Sequence, residues 1–211
     1  MQITHFGHAC VLLDTGSARL LIDPGAFSSG FELTTALDAV LVTHQHPDHL
    51  DIDRLAPLLH ANPDARLIVD AGTAGQLSGF EHEVVAPGAS IRVGGSQVEV
   101  LGGEHAVIHP DIPTVGNNSY LVDGSLLHPG DAFTPPPAPV DVLFLPTGAP
   151  WLRLADAVDY LRAVAPRTAV PIHEAVLAMP QMHYGMFERL APAGTAVRVL
   201  NRGEATELRS S

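Results

Sequence analysis

THQHPDHLD, residues 43–51, follows directly on the apolar run DAVLV at 38–42. Three imidazoles and a carboxylate cost nothing on a surface, but at the end of a buried strand polar groups lose their hydration unless something compensates them. Neutral imidazole nitrogens and carboxylate oxygens suit zinc, manganese or iron. Four donors between His44 and His49 cannot all reach one small ion without strain. His44 and His46 can hold one ion while Asp48 and His49 hold a neighbour, so the spacing predicts two metals.

Upstream, QITHF, ACVLLDT and ARLLIDP are short β-type runs separated by Gly-containing turns, and AVLVT at 39–43 is a further, buried strand. Downstream, DIDRLAPLLHAN has apolar residues at helical spacing, with Asp51 placed to cap it and Pro63 just past its end. The cluster therefore occupies a strand-to-helix loop. Further strands are expected at ARLIVD, HEVVAP, SIRVGG, QVEVLGGEH, NSYLVDG, SLLHPGD, DVLFLPT, TAVPIH and AVRVLN, and helices at AGTAGQLSG, LADAVDYLRAV and around MHYGMFERLA. This mixture implies an α/β sandwich, helices covering mixed sheets, in one domain over residues 1–211. HACVLLDTGSARLLIDPG from residue 8 and NSYLVDGSLLHPGD from residue 118 share strand, Gly-Ser turn, Leu-Leu strand and Pro-Gly in that order, a weak internal echo. TPPPAPV at 134–140 is a stiff loop rather than a linker.

Lys+Arg 11 against Asp+Glu 23 give a formal net charge of -12, which disfavours nucleic-acid backbones and anionic membrane surfaces as partners. A small-molecule substrate is the expected partner, and acidic chains of this size commonly form homo-oligomers. Cys10 is the single cysteine, which excludes an internal disulfide. MQITHFGHACVLL has no basic leader, and no apolar run approaches the ~18 residues of a membrane span. A reducing, cytoplasmic location is the expectation. The 12 histidines exceed the roughly four or five of an ordinary chain this long.

More ligands must come from elsewhere, and strand ends supply them: His105 after QVEVLGGE, Asp131 after SLLHPG and His173 after TAVPI. At this point the sequence resembles the metallo-β-lactamase superfamily, with THQHPDH as its His-x-His-x-Asp-His signature and His105, Asp131 and His173 following in order. HFGHACVLL, LLIDPG and HPGD are similar to the branch of small stand-alone metal-dependent hydrolases that includes the ascorbate-phosphate lactonase-like proteins. The resemblance implies a four-layer αβ/βα sandwich with two divalent ions at one edge of its sheets, zinc foremost, with manganese or iron as alternatives. It assigns His44, His46 and His105 to the first ion, and Asp48, His49 and His173 to the second, with Asp131 bridging. His109, four residues beyond His105, competes for its role; His105 is preferred because it directly follows the strand. The reaction implied is hydrolysis of an ester, lactone or phosphodiester by a metal-bridging hydroxide, with Asp48 as the catalytic residue that orients it and accepts a proton.

Weaker candidates surround this set. His8 is weighed as a group beside the metals or substrate against a hydrogen-bonded turn residue, and His128 as a support rather than a ligand. Asn117 and Asn118, in a Gly-flanked loop, are weighed as donors to a substrate oxygen against ordinary turn residues. Trp151 reads as core packing first and a pocket wall second. Asp23 is weighed as a support for the site against a routine turn before Pro24, and Tyr184 as substrate contact or packing. His5, His60 and His82 read as ordinary. Specificity is expected from loops at 25–35, 106–118 and 132–139. Two other classes compete: a mononuclear iron sulfur dioxygenase-type oxidoreductase, which keeps the same cluster, and a non-catalytic metal-binding module.

Overall fold

The computed structural model describes residues 1–208. The chain forms two seven-stranded mixed sheets. The first contains β1 (Gln2–His5), β2 (Val11–Asp14), β3 (Arg19–Ile22), β4 (Ala39–Leu41), β5 (Arg66–Val69) and β6 (Glu83–Val84). The second contains β7 (Ser90–Val93), β8 (Ser96–Glu104), β9 (Gly116–Val122), β10 (Leu126–His128), β11 (Val142–Pro146), β12 (Thr168–Ile172) and β13 (Ala196–Val197). β14 (Ala205–Glu207) returns to the first sheet beside β1. The strand orders are β14-β1-β2-β3-β4-β5-β6 and β13-β12-β11-β10-β9-β8-β7.

Side-chain alternation along the strands builds the layers. In β2, Val11 and Leu13 join the core between the sheets while Leu12 faces outward; in β4, Ala39 and Leu41 point inward and Val40 outward. The outward face of the first sheet is covered by α1 (Ile52–Ala61) through Leu55 and Leu58. The outward face of the second is covered by α3 (Leu154–Val164) and α4 (Pro180–Leu190), through residues such as Leu161 and Phe187. The result is the expected helix, sheet, sheet, helix sandwich.

The internal echo has a structural counterpart. β1-β2-β3 and β8-β9-β10 are each antiparallel, and each is extended by parallel strands, β4-β5-β6 and β11-β12-β13.

Several local expectations change. AVRVLN pairs only over Ala196–Val197, and β14 comes from GEATEL, a polar stretch without strand periodicity. The AGTAGQLSG helix is one turn, α2 (Ala71–Ala74), capped by Asp70. α4 begins at Pro180, where proline's fixed φ and missing N–H suit a first turn. Asn117 and Asn118 belong to β9, not to a loop. No described helix is long and apolar enough to cross a membrane.

Candidate metal centre

The chain between β4 and α1 turns sharply enough to aim His44, His46, Asp48 and His49 at one sheet edge. Asp51 closes the turn by capping α1, its side chain accepting from the Arg54 N–H. Gly25 passes so close that a Cβ there would lie 1.8 Å from the Asp48 carbonyl oxygen. The ends of β8, β10 and β12 bring His105, Asp131 and His173 to the same edge.

These donors fall into overlapping groups, each able to hold an ion: His44, His46 and His105; His8, Asp48, His49 and His173; and His44, His49 and Asp131. Asp131 shares one partner with each of the others, which is a bridging position. Its Oδ1 lies 3.1 Å from both His49 Nε2 and His173 Nε2, and its Oδ2 lies 3.4 Å from His105 Nε2. His105, not His109, falls in these groups; His109 is exposed beside Asp111.

Hydrogen bonds sort the imidazoles by tautomer. His105 Nδ1–H donates to the Ala106 carbonyl at 2.5 Å, His173 Nδ1–H to the Gly148 carbonyl at 2.6 Å, and His49 Nδ1–H to Asp23 Oδ2 at 2.7 Å. Thr43 Oγ1 donates to Asp23 Oδ2, so it accepts from His44 Nδ1–H at 3.0 Å. In their neutral forms all four rings therefore present Nε2 lone pairs to the cluster. His8 is wired the other way: its Nδ1 accepts the Ala175 N–H at 3.3 Å, so Nε2–H donates to Asp48 Oδ2 at 2.9 Å. A ring protonated on its inward nitrogen is a donor to a ligand rather than a ligand.

The donor set fits divalent cations. Buried His105 Nε2 and Asp131 Oδ1 have no hydrogen-bond partner, a cost that coordination would remove. His49 Nε2 and His173 Nε2 face each other at 3.2 Å, as nitrogens aimed at a common ion do. The local field also favours positive charge. Burial opposes protonation of His49, but the Asp131 and Asp23 carboxylates outweigh it and hold its pKa well above the ordinary value. His173 is likewise raised to about 9, Asp131 again outweighing burial. Burial disfavours charge on Asp131, yet His49 and His173 keep its carboxyl well below the usual range. His44, dominated by burial and by neighbouring imidazoles, is held well below its ordinary pKa.

Residues weighed less heavily take definite places. Asp23, fully buried, also accepts from the Thr43 N–H, so it supports the site rather than forming a routine turn. Trp151 is half-buried and its Nε1–H donates to Asp131 Oδ2 at 2.8 Å, correcting the core-packing expectation. Asn117 and Asn118 are inward structural groups: Asn117 bonds the Pro129 carbonyl and the Asp131 N–H, and Asn118 the Val85 carbonyl. They have no side chain free for substrate. His128 is buried and bonds the Ala9 carbonyl, away from the donor groups. Tyr184 is half-buried in α4, its hydroxyl pKa pushed up to about 12 by burial and by Glu174. His5 supports the His8 carbonyl. Thr43 and Glu174 were not foreseen; each directly flanks a donor, Thr43 before His44 and Glu174 after His173, and that adjacency was the available signal.

A family model described as a beta-lactamase superfamily domain matches residues 2–173. A protein of Mycobacterium tuberculosis is 54% identical over 183 residues, spanning 84% of this chain and 86% of its own length. A metal-dependent hydrolase of Opitutus terrae is 29% identical over 235 residues, spanning 99% of this chain and all of its own. Among solved structures, a metal-dependent hydrolase of Parabacteroides distasonis superposes with a TM-score of 0.77 at 21% identity, over 93% of this chain and 91% of that one. A metallo hydrolase of Ignicoccus hospitalis superposes with a TM-score of 0.73 at 22% identity over 99% of each chain. These structural likenesses speak for the fold.

Proposed function

We infer, because the chain belongs to the metallo-β-lactamase superfamily, that it is a metal-dependent hydrolase acting on an ester, lactone or phosphodiester bond of a small substrate. The observation that carries this reading is the convergence of inward Nε2 atoms with Asp48 and the bridging Asp131 at one sheet edge. His44, His46 and His105 would hold one ion, Asp48, His49 and His173 the other, and Asp131 both. Divalent ions supply Lewis acidity there, drawing the pKa of water towards ~7 and polarising the oxygen of the bond to be cleaved.

The chain's own groups do the rest. Asp48 Oδ2 takes the contacts from His8 and His173, at 2.9 and 3.4 Å, leaving its other oxygen to orient a nucleophile. Burial opposes its charge, but the neighbouring His173 and His8 rings hold its carboxyl well below the usual range. A carboxyl held so low does not suit the role of proton acceptor expected from the sequence. Trp151 fixes Asp131 from the opposite side.

The decisive experiment is metal content by plasma mass spectrometry on protein purified without chelator or affinity metal, alongside hydrolysis assays. Two ions per chain, zinc foremost, are expected, with fewer retained by His44→Ala or His173→Ala and no turnover by Asp48→Ala. Wild-type rates in Asp48→Ala with both ions retained would refute the role of Asp48. A single iron with persulfide-dependent oxygen uptake would make the protein a sulfur dioxygenase-type oxidoreductase. No metal after reconstitution would sink the reading.

A further inference from the structure

Apolar side chains flank the donor cluster on the His8 side and on the His46 and His105 side. Phe27 is 48% exposed, yet its ring stands edge-on to His8 with centroids 5.1 Å apart. On the other side, Ile108 and Ile112 line a groove with His46 and His105, and Ile112 is 49% exposed. Half-buried Trp151 stands 6.2 Å from the His105 ring. Val176, 46% exposed, directly follows the Ala175 N–H that holds His8. Exposed apolar residues scattered singly are ordinary on any surface, but here three separate segments, at Phe27, Ile112 and Trp151, bring them beside the donors.

Neither arginine near these apolar residues has its guanidinium free to hold an anion. The charges acting most strongly on the donors are their own imidazoles and carboxylates. Arg202, beside Phe27, directs its guanidinium to the Phe6 and Phe27 carbonyls. Arg153, near Trp151, is paired through two hydrogen bonds with Asp156. Recognition of a phosphate ordinarily uses such a free fork, and the formal charge of -12 adds long-range repulsion of anions.

We propose that the substrate is an uncharged carboxylic ester or lactone whose apolar acyl chain lies against Phe27 and Ile112, rather than a phosphodiester. This rests on the hydrolase reading above. In the reaction water adds its oxygen to the acyl carbon, the acyl C–O bond breaks, and the alcohol leaves with a proton, giving a carboxylic acid. Divalent ions held by the donor residues would polarise the carbonyl, and Phe27 and Ile112 would hold the chain out of water.

The test uses the full chain reconstituted with zinc. Hydrolysis of p-nitrophenyl acetate, butyrate and hexanoate and of bis(p-nitrophenyl) phosphate is compared, together with binding of N-methylacetamide and N-methylhexanamide followed by the fluorescence of Trp151, the single tryptophan. Removal of each methylene from water favours binding, so kcat/KM is expected to rise about tenfold or more from acetate to hexanoate. The longer amide should bind correspondingly tighter, and Phe27→Ala with Ile112→Ser should flatten both trends to within about twofold. Equal rates and equal binding across chain lengths, a preference for the phosphodiester, or trends that survive the double variant would overturn the proposal. Chain-length-dependent amide binding without any hydrolysis would leave the apolar contact at Phe27 and Ile112 standing and defeat the hydrolase reading instead.

Discussion

His8 has a φ of 52°, a left-handed conformation that non-glycine residues seldom adopt. It is held there from every side: its N–H donates to Glu174 Oε1 at 3.1 Å, and its carbonyl accepts from the His173 N–H at 2.8 Å and from His5 Nε2 at 2.9 Å. The backbone strain thus fixes a ring whose Nε2–H steers Asp48. His8→Phe, which removes that donor, should lower kcat about 10–100-fold with two ions still bound, the usual cost of losing a group that orients a ligand. His8→Gln, which can still donate, should recover part of it. Steady-state kinetics paired with metal content decides; loss of an ion in both variants would make His8 a ligand. The donors themselves were legible in the sequence because several imidazoles at the end of a buried strand lose their hydration together, and a shared ion restores what each has lost. The direction of His8's hydrogen bonds was not, because a tautomer is set by the Ala175 N–H, 167 residues away.

Between the elements, two contacts hold the donor loop in shape. Gly25 has no room for a side chain against the Asp48 carbonyl and the His49 nitrogen, 1.8 and 2.5 Å from a built Cβ. Gly25→Ala must displace backbone, so it should cost about 2 kcal/mol or more in urea unfolding and reduce the ions retained. Arg54 ties the start of α1 to the 25–32 segment, reaching Asp51 at 2.6 Å, Glu32 at 2.5 Å and the Gly25 and Ser28 carbonyls. Arg54→Met should cost about 1–2 kcal/mol at neutral pH, because the pairs are part-exposed and screened but the carbonyl bonds go with them. Burial opposes charge on Glu32, but backbone N–H groups and the Arg54 guanidinium outweigh it and hold its pKa below the ordinary 4.5. The stabilisation is therefore complete above pH 4.5 and lost as pH falls through the lower folded value. Denaturation of Arg54→Met followed from about pH 7 to about pH 3 should show a shallower acid loss than the parent. Elements with strong periodicity, such as LADAVDYLRAV, were legible to the residue, whereas β14 was not, because three residues paired to β1 owe their strand to that partner.

At the level of the whole molecule, each repeated unit of three antiparallel strands followed by parallel ones delivers part of the site. The first provides His44, His46, Asp48 and His49 after β4, and the second provides His105, Asp131 and His173 after β8, β10 and β12. The sequence echo at residues 8 and 118 covered only the hairpins. The parallel strands carry no matching motif, because a buried strand asks only for apolar residues. Ions held by both units would stabilise the native state alone. Removing them with excess EDTA should therefore lower the melting temperature by about 10 °C in calorimetry, from ~4 kcal/mol of linkage at saturating metal. An unchanged melting temperature on removal of two bound ions would exclude coupling between site and fold.

The same division has a consequence for how the protein is made. Synthesis runs from the N-terminal side to the C-terminal side, and the donor set stays incomplete until His173 has been added and β12 has closed against β11. A partly translated chain offers scarce transition metals only a fragment of a coordination shell. Metal acquisition would therefore be a late event in the life of each molecule, and a copy truncated before His173 would lack part of the donor set.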